Sequence, residues 1–139
     1  MSIETLTKKQ KEVFDQLLTS KKHPTLHNDL GLTPSGLSFH CKNIYDLLNV
    51  TSRVELLLEY KFDGLPLQDI EFAKPLTPFM KEVFIVMTKG FTIKETVEML
   101  DTTVSKVQAA RMRIYWSSGC DDMLELLFKC YDRNYEGVQ

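Results

Sequence analysis

Apolar residues recur along the chain at spacings of three and four, the period of α-helices that bury one face. The pattern predicts a first helix after Thr7, with Val13, Phe14 and Leu17 on its buried side. Thr7 and Gln10 have the spacing of a capping box, in which two side chains satisfy backbone N–H groups at a helix start. The sequence therefore places the beginning of this helix within a residue or so.

Three more helices are predicted before residue 60. A short one runs from Pro24 to Leu30 and ends at Gly31. A longer one begins after Thr33, and a fourth opens with Ser52 and Glu55, again at capping-box spacing. The expected buried positions of the third helix are Leu37, Ile44, Leu47 and Leu48.

The second half of the chain repeats the first at an offset of 70 residues. Identities recur in one register, without a gap, from Leu6 and Leu76 to Leu57 and Leu127. The longer matches pair Lys11-Glu12-Val13-Phe14 with residues 81–84 and Glu55-Leu56-Leu57 with residues 125–127. We therefore expect the same four helices twice.

A helix, a tight turn and a second helix in each copy form the pattern of a helix-turn-helix, whose second helix enters the major groove of DNA. We predict an all-α fold of two tandem four-helix helix-turn-helix domains, at residues 1–60 and 76–139. Residues 61–75 contain Gly64, Pro66 and Pro75 among apolar residues, which indicates an ordered linker.

The first copy resembles the LuxR/GerE-type DNA-binding domain along its whole length. The matching residues are Leu6-Thr7, Glu12-Val13, Leu30-Gly31-Leu32-Thr33, His40, Asn43-Ile44-Tyr45, Leu48 and residues 50–55. The second copy is similar but divergent, with Asp101 where the family usually has Gly and residues 121–123 replacing a Ser-Ser-Arg-like stretch. The resemblance implies that the third helix reads DNA and that the fourth often pairs domains.

Candidate DNA contacts follow from these recognition helices. The candidates are Ser38, Lys42 and Asn43 in the first copy, Lys106, Gln108, Arg111 and Arg113 in the second, and Lys21 and Lys22 as secondary phosphate contacts. Lys and Arg suit phosphate or guanine, while Asn and Gln suit adenine. Ser38 replaces the family's usual Lys, so the second copy is predicted to be the better groove reader. Tyr115 and Trp116, at the end of the second recognition helix, are expected to pack in the core or on the linker, with stacking on a base as the less favoured alternative.

The net charge of −2 gives no overall basicity that would favour binding to phosphate backbones. Three cysteines without framework spacing fit a reducing compartment, and no signal peptide or membrane span is expected. His40 beside Cys41 lacks a second pair at zinc-ligand spacing. We expect no metal, no cofactor, no small-molecule ligand and no enzymatic activity, because no catalytic set of residues is recognisable.

Two functions are compatible with these observations. The first is a DNA-binding transcription regulator that uses both domains on duplex DNA, without a receiver or sensing domain, in the cytoplasm and on the nucleoid of a bacterial or phage-infected cell. The alternative is an interaction protein that binds RNA polymerase or a sigma factor and modulates transcription without its own DNA site. The acidic balance and Ser38 favour the alternative, and the charges on the second recognition helix favour the first.

Overall fold

The computed structural model describes residues 3–135, so the ends of the two expected domains, residues 1–2 and 136–139, lie outside the described residues. The described residues form eight α-helices and no β-strand, which confirms the predicted all-α fold. The chain divides into two compact units, Met1–Asp63 and Gly64–Gln139, called here the N-terminal and C-terminal units.

The N-terminal unit begins with a 3-10 turn and contains four helices. They are α1 (Lys8–Leu17), α2 (His23–Asp29), α3 (Pro34–Leu48) and α4 (Arg53–Tyr60). Hydroxyl side chains of Thr7, Thr33 and Ser52 accept hydrogen bonds from backbone N–H groups in the first turns of α1, α3 and α4. These local hydrogen bonds explain why three of the four helix starts follow from the sequence.

Helices α1 and α2 both pack on α3, which supplies the centre of the core. Leu37 and Ile44 of α3 are almost completely buried, whereas Leu47 is only half-buried. The remaining members of this core are Val13, Phe14, Leu17, Leu26, Cys41, Leu48, Val50 and Leu56. Burial of one side of α3 leaves its other side in solvent.

The C-terminal unit contains four helices that begin 70 residues after those of the N-terminal unit. They are α5 (Pro78–Thr88), α6 (Ile93–Leu100), α7 (Val104–Ser118) and α8 (Met123–Tyr131). Helices α5 and α6 pack on α7, and α8 contacts α5 and α7. The core members are Leu76, Met80, Val83, Phe84, Met87, Val107, Ala110, Ile114, Cys120, Leu126 and Cys130.

Most of the expected linker is attached to the C-terminal unit. Gln68 donates its backbone N–H to the carbonyl of Cys130 at 2.8 Å, and Ala73 donates to the carbonyl of Ser117 at 2.7 Å. Phe72 lies edge-on to Phe84 of α5, with ring centroids 5.4 Å apart. Residues 68–73 are therefore held along α5, α7 and α8 and do not form an extended spacer.

The capping box expected at Ser52, and its counterpart at Asp122, close differently from those at Thr7 and Thr92. The boxes at Thr7 and Thr92 are complete, and their N-cap residues have φ of −68° and −73°. Ser52 has φ −161°, and the carboxylate of Glu55 accepts instead from the N–H of Thr51, one residue earlier, at 2.6 Å. We attribute this to the extended N-cap, which turns its own N–H away from the glutamate. The same shift occurs 70 residues later, where the carboxylate of Glu125 accepts from the N–H of Asp121.

A guanidinium group closes the C-terminal end of α1. Arg53 donates from Nε to the carbonyl of Leu17 at 3.0 Å and from Nη2 to the carbonyl of Thr19 at 2.7 Å. The last carbonyls of a helix have no partner within it, so these two bonds satisfy groups that would otherwise need water. Arg53 thereby ties the start of α4 to the end of α1.

We expect Arg53→Ala to lower the free energy of unfolding by about 2–3 kcal/mol, because both charge-assisted hydrogen bonds are lost. Urea denaturation followed by circular dichroism measures this change. Arg133→Ala removes the same charge from an exposed position and is the control. Equal stability of the two variants would show that the Arg53 bonds contribute nothing to the fold.

Candidate nucleic-acid interface

A tight turn joins the second and third helices of each unit. After α2, Gly31 has φ +66°, a left-handed conformation that glycine adopts without steric penalty. After α6, Asp101 takes the same conformation with φ 50°, and acidic or amide side chains tolerate it better than most. Thr33 and Thr103 then cap α3 and α7, so a short helix leads through a fixed turn into a long one.

The exposed side of α3 carries few charges. Ser38, Phe39 and Lys42 point to solvent, and the Phe39 side chain is 63% exposed. Asn43 lies beside them and is half-buried. Asp46 follows Lys42 by one helical turn and is also exposed, so the carboxylate offsets the positive charge of the lysine.

Ser38 and Lys42 also line a pocket of about 390 Å³ that reaches toward the end of α3. Its other contributors include His23, Tyr45 and Asp46. Burial raises the pKa of the Tyr45 hydroxyl well above its usual range, which keeps that group neutral. The pocket therefore combines one lysine with one carboxylate and has no excess of positive charge for phosphate.

The exposed side of α7 has a different chemistry. Gln108, Met112 and Trp116 lie on it, and the Met112 and Trp116 side chains are 71% and 67% exposed. Lys106 and Arg113 are both exposed and lie seven residues apart, so they share one flank of the helix within about 20°. No acidic residue occurs in Val104–Ser118, so this surface is locally positive.

Arg111 lies on the opposite flank of α7. It is separated from Arg113 by about 200° around the helix, because each residue turns the helix by about 100°. Its Nη2 donates to the hydroxyl oxygen of Tyr115 at 3.3 Å, and that hydroxyl donates to Sδ of Met123 at 3.7 Å. The three basic residues of α7 therefore form two groups: Lys106 with Arg113, and Arg111 with the start of α8.

The two lysines before α2 differ in their surroundings. Lys21 forms a salt bridge with Asp29, with 2.9 Å between Nζ and Oδ2, so its charge is compensated within the unit. Lys22 is half-buried and is the N-cap residue of α2, although its side chain makes no capping hydrogen bond. Lys21 is thus paired within the unit, and Lys22 precedes the first turn of α2.

Trp116 is the residue that sequence reasoning placed least well. Its ring is not part of the core, so that part of the prediction was wrong. The other part, packing on the linker, agrees with the structure: Nζ of Lys74 lies 5.7 Å from the centre of the ring. Helical spacing from Met112 places Trp116 on the exposed side, and that spacing is the signal that would have found it.

The short second helix, tight turn and long exposed third helix define a helix-turn-helix unit. Residues 4–59 match the model of one protein family, described as bacterial regulatory proteins, luxR family. The N-terminal unit is therefore a LuxR/GerE-type helix-turn-helix domain. No curated protein and no solved structure matches the chain.

Residues 3–135 contain no group of three or more His, Cys, Asp or Glu side chains arranged to hold a metal ion. None of their helices combines the length and apolar character needed to cross a membrane. The three cysteines are all buried, and burial raises the pKa of Cys41 and Cys120 and raises that of Cys130 to about 12. Because the thiolate is the reactive form, these thiols are poor nucleophiles in the folded chain.

We expect all three thiols to resist alkylation by iodoacetamide at pH 8 in the folded protein and to react when urea unfolds it. The high pKa values leave little thiolate at this pH, and burial excludes the reagent. Mass spectrometry counts the modified cysteines. Rapid labelling of any one of them without urea would contradict this description of the thiols.

Proposed function

We propose that the protein is a DNA-binding transcription regulator whose two units both act as helix-turn-helix domains on duplex DNA. The observation that carries the proposal is the LuxR-family match of residues 4–59, together with the exposed side of α3. The C-terminal unit is proposed to be a divergent copy, because its four helices begin 70 residues after their counterparts. Such a regulator would act in the bacterial cytoplasm, on the nucleoid or on phage DNA.

The charges indicate that the two units would make different contacts with DNA. Helix α7 contains three basic residues and no acidic one, which suits attraction to phosphates. Gln108, on its exposed side, has the donor and acceptor that pair with adenine. In α3, Lys42 is offset by Asp46, so the N-terminal unit would contribute fit and a few contacts, with Ser38 and Asn43 nearest the bases.

Joining the two units in one chain would strengthen weak contacts. When one unit is bound, the other stays at a high effective concentration near the same duplex. This effect does not require a basic protein as a whole. It is consistent with the net charge of −2 and with the modest number of basic residues on α3.

The proposal predicts salt-dependent binding to a labelled random duplex in fluorescence anisotropy. Lys106→Ala/Arg113→Ala should weaken binding about tenfold or more and lower the log–log salt slope by about two, one per lost phosphate contact. These residues test the charge of α7 better than Arg111, since Arg111 also contacts Tyr115.

Lys89→Ala/Arg133→Ala is the matched control, because it removes two exposed positive charges of the same unit outside α7. Its affinity should stay within about twofold of the original chain, since only local charges act strongly on bound phosphates. Equal weakening by both double variants would refute a specific role for α7. Absence of binding at low salt would refute general DNA binding by this chain.

A second candidate function is supported by the exposed apolar side chains. Phe39, Met112 and Trp116 lie on the solvent sides of α3 and α7, where exposed apolar groups often mark protein-binding surfaces. We propose as the alternative an interaction protein that binds RNA polymerase or a sigma factor.

Pull-down of purified bacterial RNA polymerase holoenzyme separates the two candidates. Under the alternative, Phe39→Ser and Met112→Ser should each reduce the captured polymerase several-fold, because truncating an apolar anchor weakens an interface by about 1–2 kcal/mol or more. Lys106→Ala/Arg113→Ala should then have little effect. Under the main proposal the polymerase is not captured without DNA, and that result would eliminate the alternative.

A further inference from the structure

A pocket of about 420 Å³ lies in the C-terminal unit, between the residues before α5 and the second half of α7. The residues that matter for its chemistry are Lys74, Thr77, Met80, Arg113, Trp116 and Ser117. Arg113 and Trp116 also belong to the exposed surface of α7 described above, whereas Lys74 and Ser117 do not. The functions proposed above assign no ligand to the pocket that these residues form together.

Backbone hydrogen bonds hold Lys74 at the edge of the pocket. Its N–H donates to Oγ of Ser117 at 3.0 Å, and that hydroxyl donates back to the Lys74 carbonyl at 3.0 Å. The neighbouring Ala73 donates to the Ser117 carbonyl. Lys74 is thus fixed by two hydrogen bonds to Ser117, with a third from its neighbour Ala73, and the ammonium group of Lys74 lies over Trp116.

The pocket gathers positive charge without a built-in counter-charge. Lys74 and Arg113 both line it, and neither forms a salt bridge within residues 3–135. Two like charges on one pocket repel each other, and an anion between them would reverse that repulsion. A guanidinium and an ammonium together are typical ligands of phosphate groups.

The Trp116 ring favours a ligand that has an apolar or flat group as well as a negative charge. Trp116 is two-thirds exposed, and Met80 supplies a further apolar group to the pocket. An inorganic anion would contact only the charges and leave this surface in water. A ligand that joins a phosphate to a flat or apolar group would use both parts of the pocket.

The corresponding place in the N-terminal unit has the opposite charge. Seventy residues before Lys74, Arg113 and Trp116 stand Glu4, Asn43 and Asp46. Two carboxylates would repel a phosphate there. The chemistry of this pocket therefore belongs to the C-terminal unit alone and does not follow from the helix-turn-helix fold.

We infer that this pocket binds the phosphate of a nucleotide, with Lys74 and Arg113 on the phosphate and Trp116 against the sugar or base. The nucleotide is either free or a unit of the DNA backbone. Only the DNA-backbone form rests on the proposed function. In that form, Lys74 extends the DNA-contacting surface from α7 to the residues that precede α5.

Trp116 is the single tryptophan of the chain, so its fluorescence reports on this pocket directly. We would titrate the protein with deoxyadenosine monophosphate (dAMP), with inorganic phosphate and with a short random duplex, and follow Trp116 emission. Saturable quenching by dAMP or by the duplex is expected. Lys74→Ala and Arg113→Ala should each raise the apparent Kd about tenfold, whereas Lys89→Ala should not change it.

The three probes identify the source of the phosphate. Quenching by dAMP, with inorganic phosphate as a competitor, means that the pocket accepts a free nucleotide. Quenching by the duplex alone, weakened in Lys74→Ala, means that the phosphate belongs to DNA. Because Lys74 lies over the ring and its removal changes the starting emission, affinities rather than intensities are compared, and circular dichroism checks that each variant is folded.

Failure of this inference and failure of the proposed function give different results. Duplex binding detected by anisotropy, with Trp116 emission unchanged or with unchanged affinity in Lys74→Ala, overturns the pocket and leaves the regulator proposal standing, because Lys74 has no part in that proposal. Quenching by dAMP without any duplex binding supports nucleotide binding by the pocket and refutes general DNA binding by the chain. No response of Trp116 to dAMP or duplex overturns the pocket.

Discussion

The structure depends on the burial of one side of each third helix. Ile44 of α3 and its counterpart Ile114 of α7 are fully buried, and the two preceding helices of each unit pack around them. Each third helix has 15 residues, about four turns, and only one side of it meets the core. The other side is consequently presented to solvent, and the proposed contacts with DNA bases use that side.

The same backbone arrangement supports two different surfaces. Exposed positions on α3 carry Phe39, Lys42 and Asp46, whereas those 70 residues later carry Ala109, Met112 and Trp116. Four core positions keep their residue between the units, and several others change, as where Leu26 is followed 70 residues later by Thr96. The exposed positions named above all differ, so function has to be argued from the side chains of each unit separately.

Local signals in the sequence were sufficient for the helices and insufficient for the site. Thr7, Thr33 and Thr92 each fix a helix start through a hydrogen bond within three residues, so the sequence alone predicts these starts. The salt bridge from Lys21 to Asp29 and the bond from Arg111 to Tyr115 depend on side-chain rotamers as well as sequence spacing. A list of basic residues therefore does not show which of them have partners within their own unit.

The position of Lys74 shows the same limit over a longer distance. The sequence around Lys74 does not indicate its partners. Its contacts are with Ser117, 43 residues later, and with the ring of Trp116, the residue before Ser117. Only the fold brings a residue of the expected linker to the end of α7. The apolar content of the linker predicts that it is ordered. Only the three-dimensional structure shows that a cation of this linker is fixed beside an exposed tryptophan.

The net charge of −2 is compatible with DNA binding because electrostatic forces in the cell are local. At physiological salt the Debye length is about 8 Å, so charges farther than that from a phosphate contribute little to its binding. A phosphate near the flank of α7 that carries Lys106 and Arg113 meets two exposed cations and no acid of that helix. Lys74, near the end of α7, adds to the same local field.

The acidic residues elsewhere mainly reduce long-range attraction to DNA, which slows encounter more than it weakens the bound state. A chain of this kind would depend on short-range contacts at its target, and the exposed sides of α3 and α7 are where such contacts can form.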